Sequence, residues 1–408
     1  MEELMANYTA SIPFQCETNT PVIGFIAELV QSEIVVLDNI HFTNDCHFHC
    51  GLCSPQKDPY YIQFQFVVLG ILLPFVGLFG LIGNAISAFV YSRPEMQCTT
   101  NFYLSLLACS DTGVVLTGLF LFSVESYKPF SLTATRISGA FSPLVYPMGT
   151  VAQTSSVYFT VCAGIDCFVQ VCTPERVRRI FMRKGTARFM AILVLIFSVL
   201  YNVPHFFEGR AIDCYHSELS GMSQETCPLP FRFNELYKQV YYTYMYSCFI
   251  AVGPLVLLII LNSLIIGFSV FGKTDSSTDD TMSLILVVLL FISCNTIALI
   301  INVFEELLSN FLQSKINYIV DVSNFLVVFN SSFNIIIYMK YSEPFASTMR
   351  SYFSRRKPKS ESPGPGPPIM ITEKQSRSKT CKETLSRLLV ASQPENTRAV
   401  IFIDSDVI

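Results

Sequence analysis

The sequence predicts an all-α membrane protein: a seven-transmembrane helix bundle, then an amphipathic inner helix and a disordered C-terminal tail. Three observations predict it. Charged residues make up 14% of the 408 and hydrophobic residues 51%, whereas a soluble chain carries about 25% charged residues. Seven apolar stretches are long enough to cross about 30 Å of hydrocarbon. The short connections between them place their basic residues asymmetrically, as membrane topology requires.

Residues 1–61 read as an outer tail. "MEELMANYTASIPF" has neither the basic start nor the apolar run of a signal peptide, so the first span serves as the targeting signal. The stretch 22–37 is apolar in patches but carries Glu28 and Glu33, which suits a surface helix rather than a span. Before span one stands a single basic residue, Lys57, against eight acids. The N-terminus is therefore expected outside and the C-terminus inside. Asn7 in "NYT" is then an accessible glycosylation acceptor. Cys16, Cys46, Cys50 and Cys53, with Cys214 and Cys227, fall on the oxidising side. "HFTNDCHFHCGLC" reads as a disulfide knot rather than a zinc site, although His41, His47 and His49 stand among the thiols.

The spans are predicted at 62–91, 100–124, 141–170, 187–206, 239–271, 281–304 and 317–339, within a core of 62–340. The loop "PERVRRIFMRKGTAR" (174–188) marks the inner side. "YSEPFASTMRSYF" (341–353) repeats Phe345, Met349 and Phe353 at helical spacing, so 341–354 is expected to lie as a helix on the inner membrane lipid. From 355 to 408 Ser, Pro, Gly and Lys dominate, and no core can form. The "NSS" at 330–332 lies inside span seven and is not a glycosylation site. There is no internal repeat of the kind inverted-repeat transporters carry. No buried metal set or nucleophile–base pair suggests an enzyme, and no nucleic-acid partner is expected.

Polar residues inside the bilayer are costly and usually functional. Span one holds Asn84 in "LIGNAIS", and span two Asp111 in "LACSD". Span three holds Gln153, Thr154 and Ser156 in "AQTSS", and span seven Asn330, Ser331, Asn334 and Tyr338 in "NSSFNIIIY". They can share one buried aqueous nest; helix-to-helix hydrogen bonding without further function is the plainer alternative. An ionised Asp111 needs a counter-charge, and no span offers Lys or Arg near it. A sodium ion on Asp111, Ser156, Asn330 and Asn334 would supply one.

These residues, with "SRPEM" in the first inner loop, resemble a rhodopsin-like (class A) G-protein-coupled receptor over 62–354. The phrases "YPMGTVAQTSSVYFTV", "YNVPHFFE", "FRFNELYKQVYY", "GPLVLLIILN" and "FISCN" are most similar to the invertebrate, nematode-like FMRFamide-type neuropeptide receptors. The resemblance implies a plasma-membrane receptor with an outer ligand cavity, signalling to heterotrimeric G proteins, with arrestin as a further partner. It implies that Asn84, Asp111, Ser156, Asn330 and Asn334 form the sodium pocket, with sodium as the one allosteric cofactor, and that Tyr338 swings inward on activation beside Ser331.

Retinal is excluded, because span seven has no lysine for a Schiff base. An amine ligand is disfavoured, because Gly149 stands where aminergic receptors place an acid. An acid-rimmed mouth remains, with Glu125, Glu208, Glu305, Glu306 and Asp321. The family's short amidated peptides end in Arg-Phe-amide, whose guanidinium suits carboxylates. Gln153 would receive the terminal amide, and Tyr146 or Phe206 the ring. No cysteine occurs between Cys109 and Cys162, so the family's bond from the outer loop to span three is missing. A Cys214–Cys227 bridge, or bridges to the outer tail, would substitute.

The inner end departs further. "AGIDCFVQVC" puts Cys167 between Asp166 and Phe168 where the family keeps an arginine. Cysteine can neither pair with Asp166 nor reach a G protein; Arg176 or Arg178 is the alternative partner. In span six, Asn295 replaces the usual tryptophan and Ile297 the kinking proline, which predicts a straight helix. Coupling through "CTPERVRRI" and the inner helix is the main reading. An atypical receptor that binds peptide with weak or no coupling is the alternative. The ending "DSDVI" would suit a PDZ protein.

Overall fold

The computed structural model describes residue 53 and residues 58–216, 218–271, 278–303, 311–312 and 315–353. Among these, seven helices are long and apolar enough to cross a membrane: Pro59–Tyr91, Thr99–Ser126, Leu132–Cys172, Lys184–Phe207, Glu235–Phe268, Met282–Ile301 and Ile316–Tyr341, here spans one to seven. The helix Glu343–Phe353 follows them. Asn7, Glu305, Glu306, residues 41–52 of the zinc-or-knot segment and the C-terminal tail lie outside the described residues.

Local chemistry sets the ends. Span one opens with the Asp58 carboxylate accepting the amide of Tyr60, and Pro59 occupies the first turn. Span three begins at Leu132, nine residues before the predicted start, capped by Ser131 Oγ on the amide of Ala134. "LTATRISGAF" is too polar for a hydropathy reading, yet it is helical because it packs against the outer hairpin. Span three is also the central one. Two-thirds of its most apolar window is buried, against one-third for spans one, four and five.

Span five contains wide π turns at Lys238–Met245 and Ser247–Ala251, just before Pro254. A proline ring cannot sit against the carbonyl four residues back at α pitch, and a widened turn relieves the clash. Span six is an unbroken α-helix at Ile297, as the missing proline predicts.

The outer loop after span four is a two-stranded antiparallel hairpin, β1 (Gly209–His216) and β2 (Gly221–Pro228). Its register sets Cys214 opposite Ser223 and Cys227 opposite Arg210. The two cysteines are therefore four residues apart along the ladder, about 13 Å. A disulfide needs Cα atoms within about 7 Å, so of the two expected pairings the Cys214–Cys227 bridge is corrected and a bridge to the outer tail takes its place. Cys214 is bonded instead to Cys53 of the outer tail, and Cys227 belongs to a separate disulfide. The Cys53 amide also donates to the Tyr215 carbonyl at 3.0 Å. β2 lies backbone-on-backbone against span three at Gly139, where any Cβ would run into the Gln224 carbonyl. Close packing here stands in place of the missing bond to span three.

Candidate ligand cavity and polar nest

Between the outer halves of the spans lies a cavity of about 370 Å³. Spans three, four and five supply most of its aromatic wall: Tyr146, Tyr201, His205, Tyr241, Tyr242 and Tyr246. Amides and hydroxyls supply the rest, including Gln153, Asn202, Asn324 and Thr117. No lysine, arginine or carboxylate lines it among the described residues. Asn202 Nδ2 donates to Thr154 Oγ1 at 2.9 Å, tying span four to span three at this level. The π turns of span five bring Tyr241, Tyr242 and Tyr246 to the cavity from neighbouring turns.

Of the ligand residues named from sequence, Tyr146 and Gln153 line the cavity. The acids have other partners. Glu208 is 2% exposed and lies behind the wall, accepting from Tyr242 Oη at 2.6 Å and Tyr237 Oη at 2.5 Å, with His205 Nδ1 at 3.0 Å. Burial opposes the charge of this carboxyl, but its three partners together outweigh burial and hold it down to about 2. Asp321 is buried and accepts from Tyr61 Oη at 2.6 Å. Glu125 lies 3.7 Å from Lys128, and Phe206 is turned outward, 40% exposed. The cavity tyrosines of span five were missed in the sequence. Their signal was "YKQVYYTYMYS", where five tyrosines recur within ten residues.

Below the cavity, spans one, two, three and seven meet at Asp111. Ser156 Oγ donates to Oδ1 at 2.7 Å and Asn334 Nδ2 to Oδ2 at 2.9 Å; Ser331 is a third donor. Asn84 Nδ2 donates to the Ser331 carbonyl at 2.8 Å. The Oδ1 atoms of Asn330 and Asn334 and the Tyr338 hydroxyl are buried without a hydrogen-bond partner among the described residues. Unsatisfied buried oxygens beside a carboxylate are the donor set a hard cation takes. Asn295 stays on its own helix, donating to the Phe291 carbonyl at 2.8 Å.

The inner end is closed by packing. Cys167 is buried in one apolar cluster with Tyr103, Phe159, Leu284, Tyr338 and Phe345, and Phe168 packs at its edge. The Tyr338 ring meets Tyr91 edge-on at 5.2 Å and Phe345 at 5.6 Å, joining spans one and seven to the inner helix. Asp166 is buried and accepts from Thr99 Oγ1 at 2.8 Å and Thr100 Oγ1 at 2.5 Å. No ion pair joins it to Arg176 or Arg178 among the described residues, and Arg176 is exposed.

The family model for seven-transmembrane receptors of the rhodopsin family matches residues 83–338. A probable G-protein coupled receptor of Caenorhabditis elegans, frpr-1, is 40% identical over 323 residues, covering 74% of this chain and 84% of its own length. The FMRFamide receptor of Drosophila melanogaster is 29% identical over 308 residues, 72% of this chain and 55% of its own. The FMRFamide peptide receptor frpr-18 of Caenorhabditis elegans is 26% identical over 302 residues, 70% of this chain and 68% of its own.

Proposed function

This chain belongs to the rhodopsin family of seven-transmembrane receptors, and on that premise we propose that it is a receptor for a short amidated peptide of the Arg-Phe-amide type. It sits in the plasma membrane with its N-terminus outside and signals to a heterotrimeric G protein.

One observation carries the ligand reading: the cavity is aromatic and amide-lined, and no charged side chain lines it among the described residues. A peptide ending in Phe-amide delivers a neutral polar terminus and an aromatic ring, and both find partners there. A free carboxylate would be buried without a counter-charge, which is costly. Gln153 and Asn202 can exchange hydrogen bonds with the amide, and Tyr146, Tyr201 and Tyr246 offer edges and faces to the ring. Glu208, behind Tyr242 and His205, is the described acid nearest to this wall. The ligand's guanidinium would reach it by displacing one tyrosine hydroxyl.

The nest at Asp111 fits a sodium ion, held by Asp111, Ser156, Asn330 and Asn334. Such an ion supplies the counter-charge for a buried carboxylate and favours the closed arrangement of spans two, three and seven. Coupling at the inner end relies on loop and helix surfaces rather than on Cys167, which is buried.

The test is a panel of short peptides, each as amide and as free acid, applied to cells expressing the full chain. Binding, intracellular calcium and cyclic nucleotide are followed together. An Arg-Phe-amide that binds and signals while its free acid fails is the expected result. Binding without any second-messenger response would remove the coupling half of the reading. Equal potency of amide and acid would remove the ligand half.

A further inference from the structure

Between the outer hairpin and span five the chain reads "LPFRFNELY" (229–237). Residues 231–233 are Phe-Arg-Phe, and Phe233 continues into an amide bond rather than a free carboxylate. The receptor therefore carries, in its own outer loop, the Arg-Phe-amide grouping proposed for its ligand. Three residues match often enough by chance, and it is their position that gives the match weight.

The helical turn Pro230–Phe233 is fastened beside the cavity wall. The Leu229 amide donates to the Glu208 carbonyl at 2.7 Å, and the Arg232 amide to the Leu229 carbonyl at 3.0 Å. On the other side, Asn234 Oδ1 accepts the Tyr237 amide at 3.1 Å. The Phe231 ring lies 4.1 Å from that of Tyr237, Tyr237 stacks on Tyr241 at 5.1 Å, and Tyr241 on Tyr201 at 5.4 Å. This row of rings leads inward from Phe231, 44% exposed, to two buried tyrosines that line the cavity. Arg232 is exposed, within electrostatic reach of the Tyr146 and Tyr242 hydroxyls on the cavity wall. Tyr237 and Tyr242 are the two hydroxyl donors to Glu208.

We propose that Phe231 and Arg232 are a built-in competitor of the peptide. They hold an outer subsite, the Tyr237 face for a ring and the Tyr242 edge for a guanidinium, which the ligand's arginine and the residue before it must take. The proposal rests on the Arg-Phe-amide reading of the ligand and extends it by one position, to an aromatic residue before the arginine. Two guanidinium groups repel at contact distance, so Arg232 and the ligand's arginine exclude each other. Apparent affinity then falls by the fraction of receptors in which the subsite is open. Packing alone accounts for the buried rings of Tyr241 and Tyr201, but not for an exposed Phe-Arg pair laid against them. A membrane anchor would turn Phe231 to lipid, whereas its ring faces Tyr237.

The probe is Pro-Phe-Arg-Phe-amide, the sequence of residues 230–233 as a free amidated peptide, with Pro-Phe-Gln-Phe-amide as its uncharged counterpart. Binding of both to the full-length receptor in cell membranes is measured at one ionic strength. Wild type should bind the charged probe, and Arg232→Gln should bind it about five-fold more tightly. The uncharged probe should gain less than about two-fold from the same change. Phe231→Ala should tighten both probes, and it supplies a second reading if Arg232→Gln lowers the thermal midpoint. Arg136→Gln removes an exposed cation at the outer end of span three and should leave both affinities unchanged. Binding of the charged probe by the two loop variants alone is the same result at higher occupancy of the subsite. Weaker binding by Arg232→Gln would make that residue a ligand contact and overturn the proposal. An equal gain for both probes, or a matching gain in Arg136→Gln, overturns it too. If other Arg-Phe-amides bind but this probe binds neither wild type nor the loop variants, the mimicry fails and the ligand reading stands. If no Arg-Phe-amide binds any of them, the ligand reading falls and the competitor falls with it.

Discussion

Thr100 Oγ1 donates to Asp166 Oδ2 across 2.5 Å, joining the inner end of span two to span three, with Thr99 Oγ1 as a second donor at 2.8 Å. In a receptor with an arginine beside this acid, that arginine would be its partner. Here two hydroxyls satisfy a buried carboxylate instead, and hydrogen bonds to a charged group are worth about 1.5–3 kcal/mol each. Replacing both threonines by valine keeps shape and removes both donors. The double variant should lose about 3–6 kcal/mol of stability in the closed arrangement. Thermal unfolding of the solubilised receptor should fall, and ligand-free signalling should rise. Unchanged basal signalling together with an unchanged midpoint would show that the two bonds latch nothing.

Cys167 makes a different prediction. It is 4% exposed inside an apolar cluster, and buried cysteine behaves as a small hydrophobe. Cys167→Ala should therefore cost about 1 kcal/mol and leave peptide-evoked signalling within about two-fold. Cys167→Arg forces a long cation into packed space beside Asp166, where it competes with Thr99 and Thr100. It should lower the thermal midpoint by more than the alanine change. A wild type that is silent to a bound peptide, and responsive only as Cys167→Arg, would establish the non-coupling alternative.

The Cys53–Cys214 bond spans 161 residues of sequence. In the chain-entropy model, closing a loop of that length contributes about 5 kcal/mol, a figure that assumes an unrestrained unfolded chain. Cys53→Ser and Cys214→Ser should each lower the thermal midpoint, and the double variant should be no worse than either. Cys227→Ser should add to both, because its bond is separate. Peptide mapping without reductant should yield a fragment joining the segment around Cys53 to β1. A fragment joining β1 to β2 through Cys214 and Cys227 would refute the pairing.

Much of this was legible in the sequence, and the reasons for the rest are physical. Seven spans declare themselves because hydrocarbon demands long apolar runs, and Asp111 stands out because nothing polar is free there. The outer hairpin did not declare itself. Disulfide partners follow ladder register, which spacing alone does not reveal, so the sequence leaves Cys214 a choice between the outer tail and Cys227, about 13 Å away along the strand. The start of span three at Leu132 was missed because its cap and its hairpin neighbour, not its hydropathy, make it helical. Glu208 and Asp321 look from sequence like rim acids open to a ligand. Only packing shows that tyrosine hydroxyls already hold them.

Sodium dependence should report on the nest. If Asp111, Ser156, Asn330 and Asn334 hold the ion in the closed arrangement, replacing choline by sodium should weaken peptide binding in the wild type. A ligand that favours the ion-free state pays in proportion to the ion's affinity. Asp111→Asn removes the charge that attracts sodium, and its binding curve should be the same in both salts. An equal sodium effect in wild type and Asp111→Asn would place the ion elsewhere.

Glu208 sets the acid limit of the outer mouth. Its carboxyl is held down to about 2, because the donors from Tyr237, Tyr242 and His205 outweigh the opposing burial. A group depressed in the folded state contributes stability that is present above its unfolded value, near 4.5. That stability is lost as pH falls from there toward 2. Thermal midpoints should therefore carry the full Glu208 contribution, without pH dependence from this group, between pH 8 and pH 5, and lose it as acid is added below that range. Glu208→Gln keeps an acceptor but loses the charge, so it should lower the midpoint at pH 7 and flatten the acid limb. If the variant matches the wild type at pH 7, the hydroxyl cage is not stabilised by that charge, and its place as the guanidinium's partner falls with it.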